Sequence, residues 1–149
     1  MRDPDLAIIR ALRRNPRASI TTLARVTNMA RGTVQTRLGR LHERGVIIGH
    51  GPDLDPAMVG FPVTAFTTLS IVQGSHDELV DRLRSIPEVV EVHVVTGSGD
   101  LLVRLAARSN DDLHALLQEI VSMGEVGRAD SQLALSTPVR RTLADVLGE

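Results

Sequence analysis

The sequence predicts an α+β protein of two modules, a helical unit followed by a β-α-β-β-α-β unit. Three observations carry that prediction. Charge is split between two segments, apolar residues recur at helical spacing up to Gly45, and strand-like alternation begins at Val63. Residues 1–51 hold ten arginines against Asp3, Asp5 and Glu43, a balance of +7, whereas residues 52–149 balance at −8. A basic first third suits a polyanionic partner, and the acidic remainder does not. A length of 149 residues allows one ordinary domain or two small ones, and the charge split favours two.

Composition narrows the function classes. With 42% hydrophobic and 23% charged residues, the chain is expected to fold rather than stay disordered. No apolar run approaches the ~20 residues of a bilayer span, and no signal-peptide stretch opens the sequence. No membrane partner is expected, and the cytoplasm is the expected location. Cysteine is absent, which removes disulfides, thiolate catalysis and cysteine-ligated zinc together. The histidines at 42, 50, 76, 93 and 114 form no i, i+4 pair, and no carboxylate cluster completes a metal site. There is no Gly-x-Ser-x-Gly elbow, and Gly97-Ser98-Gly99 joins two strands instead of opening a helix. We expect no enzyme, no metal and no cofactor. Phe61 and Phe66 are the only aromatics, too few for a base-stacking platform.

The first module, residues 1–51, reads as three helices and a wing. Asp3-Pro4 supplies an N-cap and a first-turn proline, Leu6, Ile8, Ile9 and Leu12 follow at helical spacing, and Asn15-Pro16 stops the helix near Arg14. Ser19 caps a second helix through about Val26, with Ile20, Leu23 and Ala24 inward, and Thr27-Asn28-Met29 forms a tight turn. A third helix fits residues 31–44, with Val34, Leu38 and Leu41 buried and Gly45 as terminator. Val46-Ile47-Ile48 reads as a short strand. Two short helices joined by a turn, the second one basic, form a helix-turn-helix pattern. Arg31, Thr33, Thr36, Arg37 and Arg40 then face outward and, with Gln35, make the candidate set for double-stranded DNA. The competing reading is an ordinary amphipathic helix with a solvated arginine face.

Residues 52–62, with three prolines and a glycine, read as a linker. The second module, residues 63–149, begins with Val63, Ala65, Thr67, Leu69 and Ile71 on one strand face and Thr64, Phe66, Thr68 and Ser70 on the other. Ser75 with Glu78 signals a capped helix to about Ser85, and Pro87 precedes a β-branched run, Val89 to Val95. A turn over residues 96–100 leads into a strand from Leu101 to Ala107. Ser109 with Asp112 starts a helix striped by Leu113, Leu116, Leu117 and Ile120, and residues 126–136 form the last strand. This order is the ferredoxin-like split βαβ. The sheet face away from the helices carries Phe66, Leu102 and Ala106 beside His93 and Arg104, a surface suited to a homodimer.

Asp5, Ile9, Leu12, Leu23-Ala24, Thr33-Val34, Arg37-Leu38, Leu41 and Gly45-Val46-Ile47 resemble the winged DNA-binding half of the Lrp/AsnC (feast/famine) transcriptional regulators. Asp55-Pro56, Gly60 and Thr96-Gly97-Ser98-Gly99-Asp100 resemble the linker and effector domain of that family, so the likeness runs from about Asp3 to Thr137. The resemblance implies a sequence-specific, nucleoid-associated regulator, dimeric and often tetrameric or octameric. It also implies an amino acid or related small molecule bound near the loop formed by Thr96, Gly97, Ser98, Gly99 and Asp100. Asp100 would pair with the ligand's ammonium while the loop's amides meet its carboxylate, or it would close the hairpin by accepting a backbone N–H. Ala30 departs from the family by standing where Ser or Thr often caps the recognition helix, and the strand before the loop lacks the family's frequent aromatic. Two other functions fit the same residues: an architectural DNA-compacting protein without an effector, and an ACT-like metabolite-binding regulatory subunit.

Overall fold

The computed structural model describes residues 3–49, 53–72 and 76–147. They divide into two compact units, residues 3–49 with 138–147, and residues 53–72 with 76–137.

The first unit packs α1 (Asp3–Arg14), α2 (Ile20–Thr27) and α3 (Arg31–Glu43) around Ile8, Leu23, Ala24, Val34 and Leu41. Ser19 caps α2 by accepting the Thr22 N–H at 3.1 Å, and Asn28 ends it in the left-handed region at φ 52°. Ala30 precedes α3 in an extended conformation with no side-chain cap. Gly45 stops that helix at φ 64°, as the sequence predicts. The expected strand at Val46-Ile47-Ile48 does not form. The Val46 and Ile47 amides both donate to the Leu41 carbonyl, at 2.9 and 3.1 Å, which spends the donors a ladder needs.

The second unit is a four-stranded antiparallel sheet in the order β2-β3-β1-β4: β1 (Val63–Ile71), β2 (Val89–Val94), β3 (Leu101–Ala107) and β4 (Val126–Leu133). Helices α4 (His76–Arg84) and α5 (Asn110–Val121) cover the face built by Ala65, Leu69, Leu101, Val103 and Leu105. Thr67 is fully buried on that face, and its hydroxyl is satisfied by Ser131 Oγ at 2.9 Å. Ser109 caps α5 through the Asp112 N–H, as predicted, whereas the expected cap at Ser75 lies outside the described residues. β4 ends at Leu133, opposite Ala65 of β1, and not at 136; one further bond joins Ala134 N–H to the Thr64 carbonyl. Residues 53–62 are more ordered than a linker. The Ala57 N–H donates to the Asp55 carboxylate and the Phe61 N–H to the Pro56 carbonyl, and Arg108 lies 5.3 Å from the Phe61 ring centroid.

The sequence reading keeps residues 63–149 together, yet residues 138–147 pack with the first unit. A last helix, α6 (Leu143–Val146), sits against α1, where Arg13 Nε meets Asp145 Oδ1 at 2.9 Å. The chain therefore joins the two units twice, once near residue 52 and again between β4 and α6.

The backbone N–H and hydroxyl of Thr142, and then Arg13, hold the Asp145 carboxyl below the usual carboxylate range. A depressed folded-state pKa stabilises above the unfolded pKa, and the contribution disappears as pH falls through the folded value. Protection of the α6 amides, measured relative to their intrinsic exchange rate at each pH, is thus expected to fall selectively once the pH drops below about 4, with α1 to α3 still protected. Equal protection of α6 at pH 7 and pH 2.5 contradicts this attachment.

Candidate functional site

Two surfaces bring together the residues singled out by the sequence. On the first unit, Ser19 and Asn28 fix the start and end of α2, and the turn through Asn28 and Met29 delivers α3. Val34 and Leu41 anchor α3 in the core, so Arg31, Thr33, Gln35, Thr36 and Arg40 all stand exposed on its outer side. These side chains make no hydrogen bond or ion pair among the described residues. A shallow concavity of about 300 Å³ is lined by Gly32, Thr33, Thr36, Arg37 and Arg40. The surface offers guanidinium forks for phosphates and hydroxyl and amide groups for base edges.

Arg37 departs from the sequence expectation. It is half-buried, and its Nη1 donates to Asp5 Oδ1 at 2.8 Å. Asp5 itself is only 7% exposed, in the first turn of α1. Arg37 is thus a bridge between α3 and α1 and not an open outward cation. A second concavity, of about 180 Å³, is lined by Asp5, Arg37, Arg40, Leu41 and Arg44. Sequence reasoning missed this role of Asp5. A signal for it exists, since Asp5, Ile8 and Leu12 share one helical stripe, and a carboxylate there needs a cationic partner.

On the second unit, residues 96–100 connect β2 to β3. Thr96, Gly97 and Ser98 are exposed, and Gly97 adopts φ 117°, a conformation costly for any residue with a side chain. Gly99 lies flat against β1: a Cβ there would collide with Thr68 Cγ2 and fall 3.1 Å from the Leu69 carbonyl oxygen. Asp100 fastens the loop. Its N–H donates to the Leu69 carbonyl at 2.8 Å, and its Oδ2 accepts the Ile71 N–H at 2.7 Å. Oδ1 lies 3.9 Å from His76 Nε2. The Asp100 carboxylate thus accepts a backbone N–H, and it does so from β1 and not from within the hairpin.

The sheet face opposite α4 and α5 carries Phe66, 40% exposed, with Leu102 and Ala106. Glu91 bridges Arg104 at 3.3 Å and His93 at 3.4 Å on the same face. Among the described residues no group of His, Cys, Asp or Glu could hold a metal ion, and no helix is long and apolar enough to cross a membrane.

A helix-turn-helix with an open basic second helix, joined to a ferredoxin-like unit, defines a two-module DNA-binding protein. Comparison with known proteins agrees. A winged helix-turn-helix DNA-binding model matches residues 1–48, and the Lrp/AsnC ligand binding domain model matches residues 64–144. The HTH-type transcriptional regulator FL11 of Pyrococcus horikoshii is 29% identical over 133 residues, covering 89% of this chain and 88% of that one. Regulatory protein AsnC of Escherichia coli K12 is 28% identical over 142 residues, covering 93% of each. The solved E. coli AsnC structure superposes with a TM-score of 0.88 at 25% identity, over 97% of this chain and 98% of that one. The fold is also that of the Neisseria meningitidis regulator NMB0573 in complex with L-Met, with a TM-score of 0.86 at 23% identity over 95% and 94% of the two chains. The chain belongs to the Lrp/AsnC family of transcriptional regulators.

Gly99→Ala is expected to lower the melting temperature of the second unit, because the new methyl meets Thr68 and the Leu69 carbonyl. Adding Thr68→Ser, which removes Cγ2, should recover part of that stability. A Gly99→Ala protein as stable as wild type contradicts the close packing of the loop on β1.

Proposed function

We propose that this chain acts as a homodimer or higher oligomer that reads duplex DNA with the outer side of α3. Its second unit senses a small molecule, an amino acid or a close chemical relative of one. The observation that carries the DNA assignment is the set of exposed, unengaged polar side chains on α3. In this reading Arg31 and Arg40 meet phosphates, while Thr33, Gln35 and Thr36 reach base edges. Self-association uses the open sheet face around Phe66, Leu102 and Ala106, whose apolar groups are otherwise left to water. Two recognition helices in a dimer would meet a pseudo-palindromic site with half-sites about one helical turn, roughly 34 Å, apart.

The effector assignment rests on the ligand-binding family model over residues 64–144, with L-methionine an obvious first amino acid to test given the Neisseria complex. Thr96, Gly97 and Ser98 supply an exposed turn whose backbone a carboxylate can approach. The Asp100–Ile71 bond favours a second reading for this loop, in which it only closes the fold and the protein is an architectural DNA binder.

DNA affinity should fall with salt at a log–log slope of about −0.9 per phosphate neutralised. Arg40→Ala should weaken all sequences alike and shallow the slope by about one. Thr33→Ala or Thr36→Ala should instead change the preferred sequence, costing about 1–3 kcal/mol for each base edge no longer read. A salt-insensitive complex removes the DNA reading. For the effector, calorimetric titration of the full chain with the twenty amino acids is expected to give saturable heat with at least one of them. No heat at millimolar concentration hands the second unit to the architectural reading.

A further inference from the structure

We infer that Asp5 is a positioning residue that withholds Arg37 from the DNA backbone and so keeps non-specific binding in check. The inference rests on α3 being the DNA-reading helix. Arg37 lies between the two concavities of the first unit and lines both. On one side are Thr33, Thr36 and Arg40 of the outer surface, and on the other are Asp5, Arg40 and Arg44. Among the described residues, Asp5 is the one carboxylate lining either concavity.

A guanidinium at this position would add one phosphate contact that every duplex sequence offers, which raises affinity without raising discrimination. Asp5 prevents that by charge and by geometry. Its buried carboxylate neutralises Arg37, and the 2.8 Å bond holds Nη1 toward α1. Leaving the pair to meet a phosphate would strand the Asp5 carboxylate in the protein interior, so the exchange is disfavoured. Arg31 and Arg40, which have no such partner among the described residues, remain available. The same bond also sets the position of α3 on α1, which is where Thr33, Gln35 and Thr36 acquire their register against base edges.

The test compares salt slopes on two duplexes, one selected from a random-sequence pool by the wild-type chain and one scrambled version of equal composition. Asp5→Asn releases Arg37. It is expected to steepen the slope by about 0.9, to tighten binding to the scrambled duplex severalfold, and to narrow the preference for the selected one. Asp3→Asn makes the same change in charge on the exposed side of the same helical turn, and should move neither quantity appreciably. The double variant Asp5→Asn with Arg37→Gln replaces a neutral pair by a neutral pair and should return the slope to the wild-type value. Thermal melts accompany each variant, and if Asp5→Asn alone fails to fold, the double variant decides. A double variant whose slope is shallower than wild type by about 0.9 overturns the inference, because Arg37 would then already touch phosphate in the native complex. An Asp5→Asn protein that is folded and keeps the wild-type slope overturns it equally. Failure of the underlying DNA reading looks different: Arg40→Ala would then change nothing in any background.

Discussion

The ion pair between Asp5 and Arg37 is the contact on which the first unit is organised. It is a polar contact that crosses from α1 to α3 beside a small apolar core, and it involves the recognition helix directly. Its net contribution to stability is small, since desolvating both charges offsets their attraction. Removing one partner is another matter, because it leaves the other charge largely out of water and unpaired. That asymmetry makes the pair a device for geometry. The core residues Ile8, Leu23, Val34 and Leu41 set the packing of α3 on α1, and the 2.8 Å charge-assisted bond adds a directional contact to it.

The second unit follows the same logic at a different scale. Its sheet is held by an apolar layer under α4 and α5, and the placement of the 96–100 loop is decided by a few polar contacts. Asp100 joins the loop to β1 by its backbone and by its carboxylate, and Gly99 makes room for that approach. The chain then runs from β4 to α6, which docks on α1 beside Arg13. The two units are thereby joined by two stretches of backbone, and the second is anchored on the helix that carries Asp5.

Much of this is legible in the sequence. The three helices, their capping by Ser19 and Asn28, the stop at Gly45 and the four strands all follow from periodicity, caps and glycine placement, which are local signals. The misreadings are non-local. Val46 to Ile48 looks like a strand by composition, but its amides are captured by the end of α3. Arg37 faces outward on a helical wheel, and only the position of α1 turns it toward Asp5. Residues 138–147 carry no strong pattern of their own, and α6 is four residues long, so its docking on α1 is a tertiary result. Asp100 reads equally well as a ligand anchor or as a structural acceptor, because the strand that supplies its donor lies 29 positions away.

The central claim is that the outer side of α3 meets DNA with Arg31 and Arg40 while Arg37 stays with Asp5. Side-chain guanidinium resonances of the full-length protein, followed by NMR as duplex DNA is added, test it most directly. Arg31 and Arg40 are expected to shift in a salt-reversible manner, and Arg37 to keep the resonance of its bond to Asp5. Movement of Arg37 together with Arg40, or a titration in which no arginine of α3 shifts, would contradict the account.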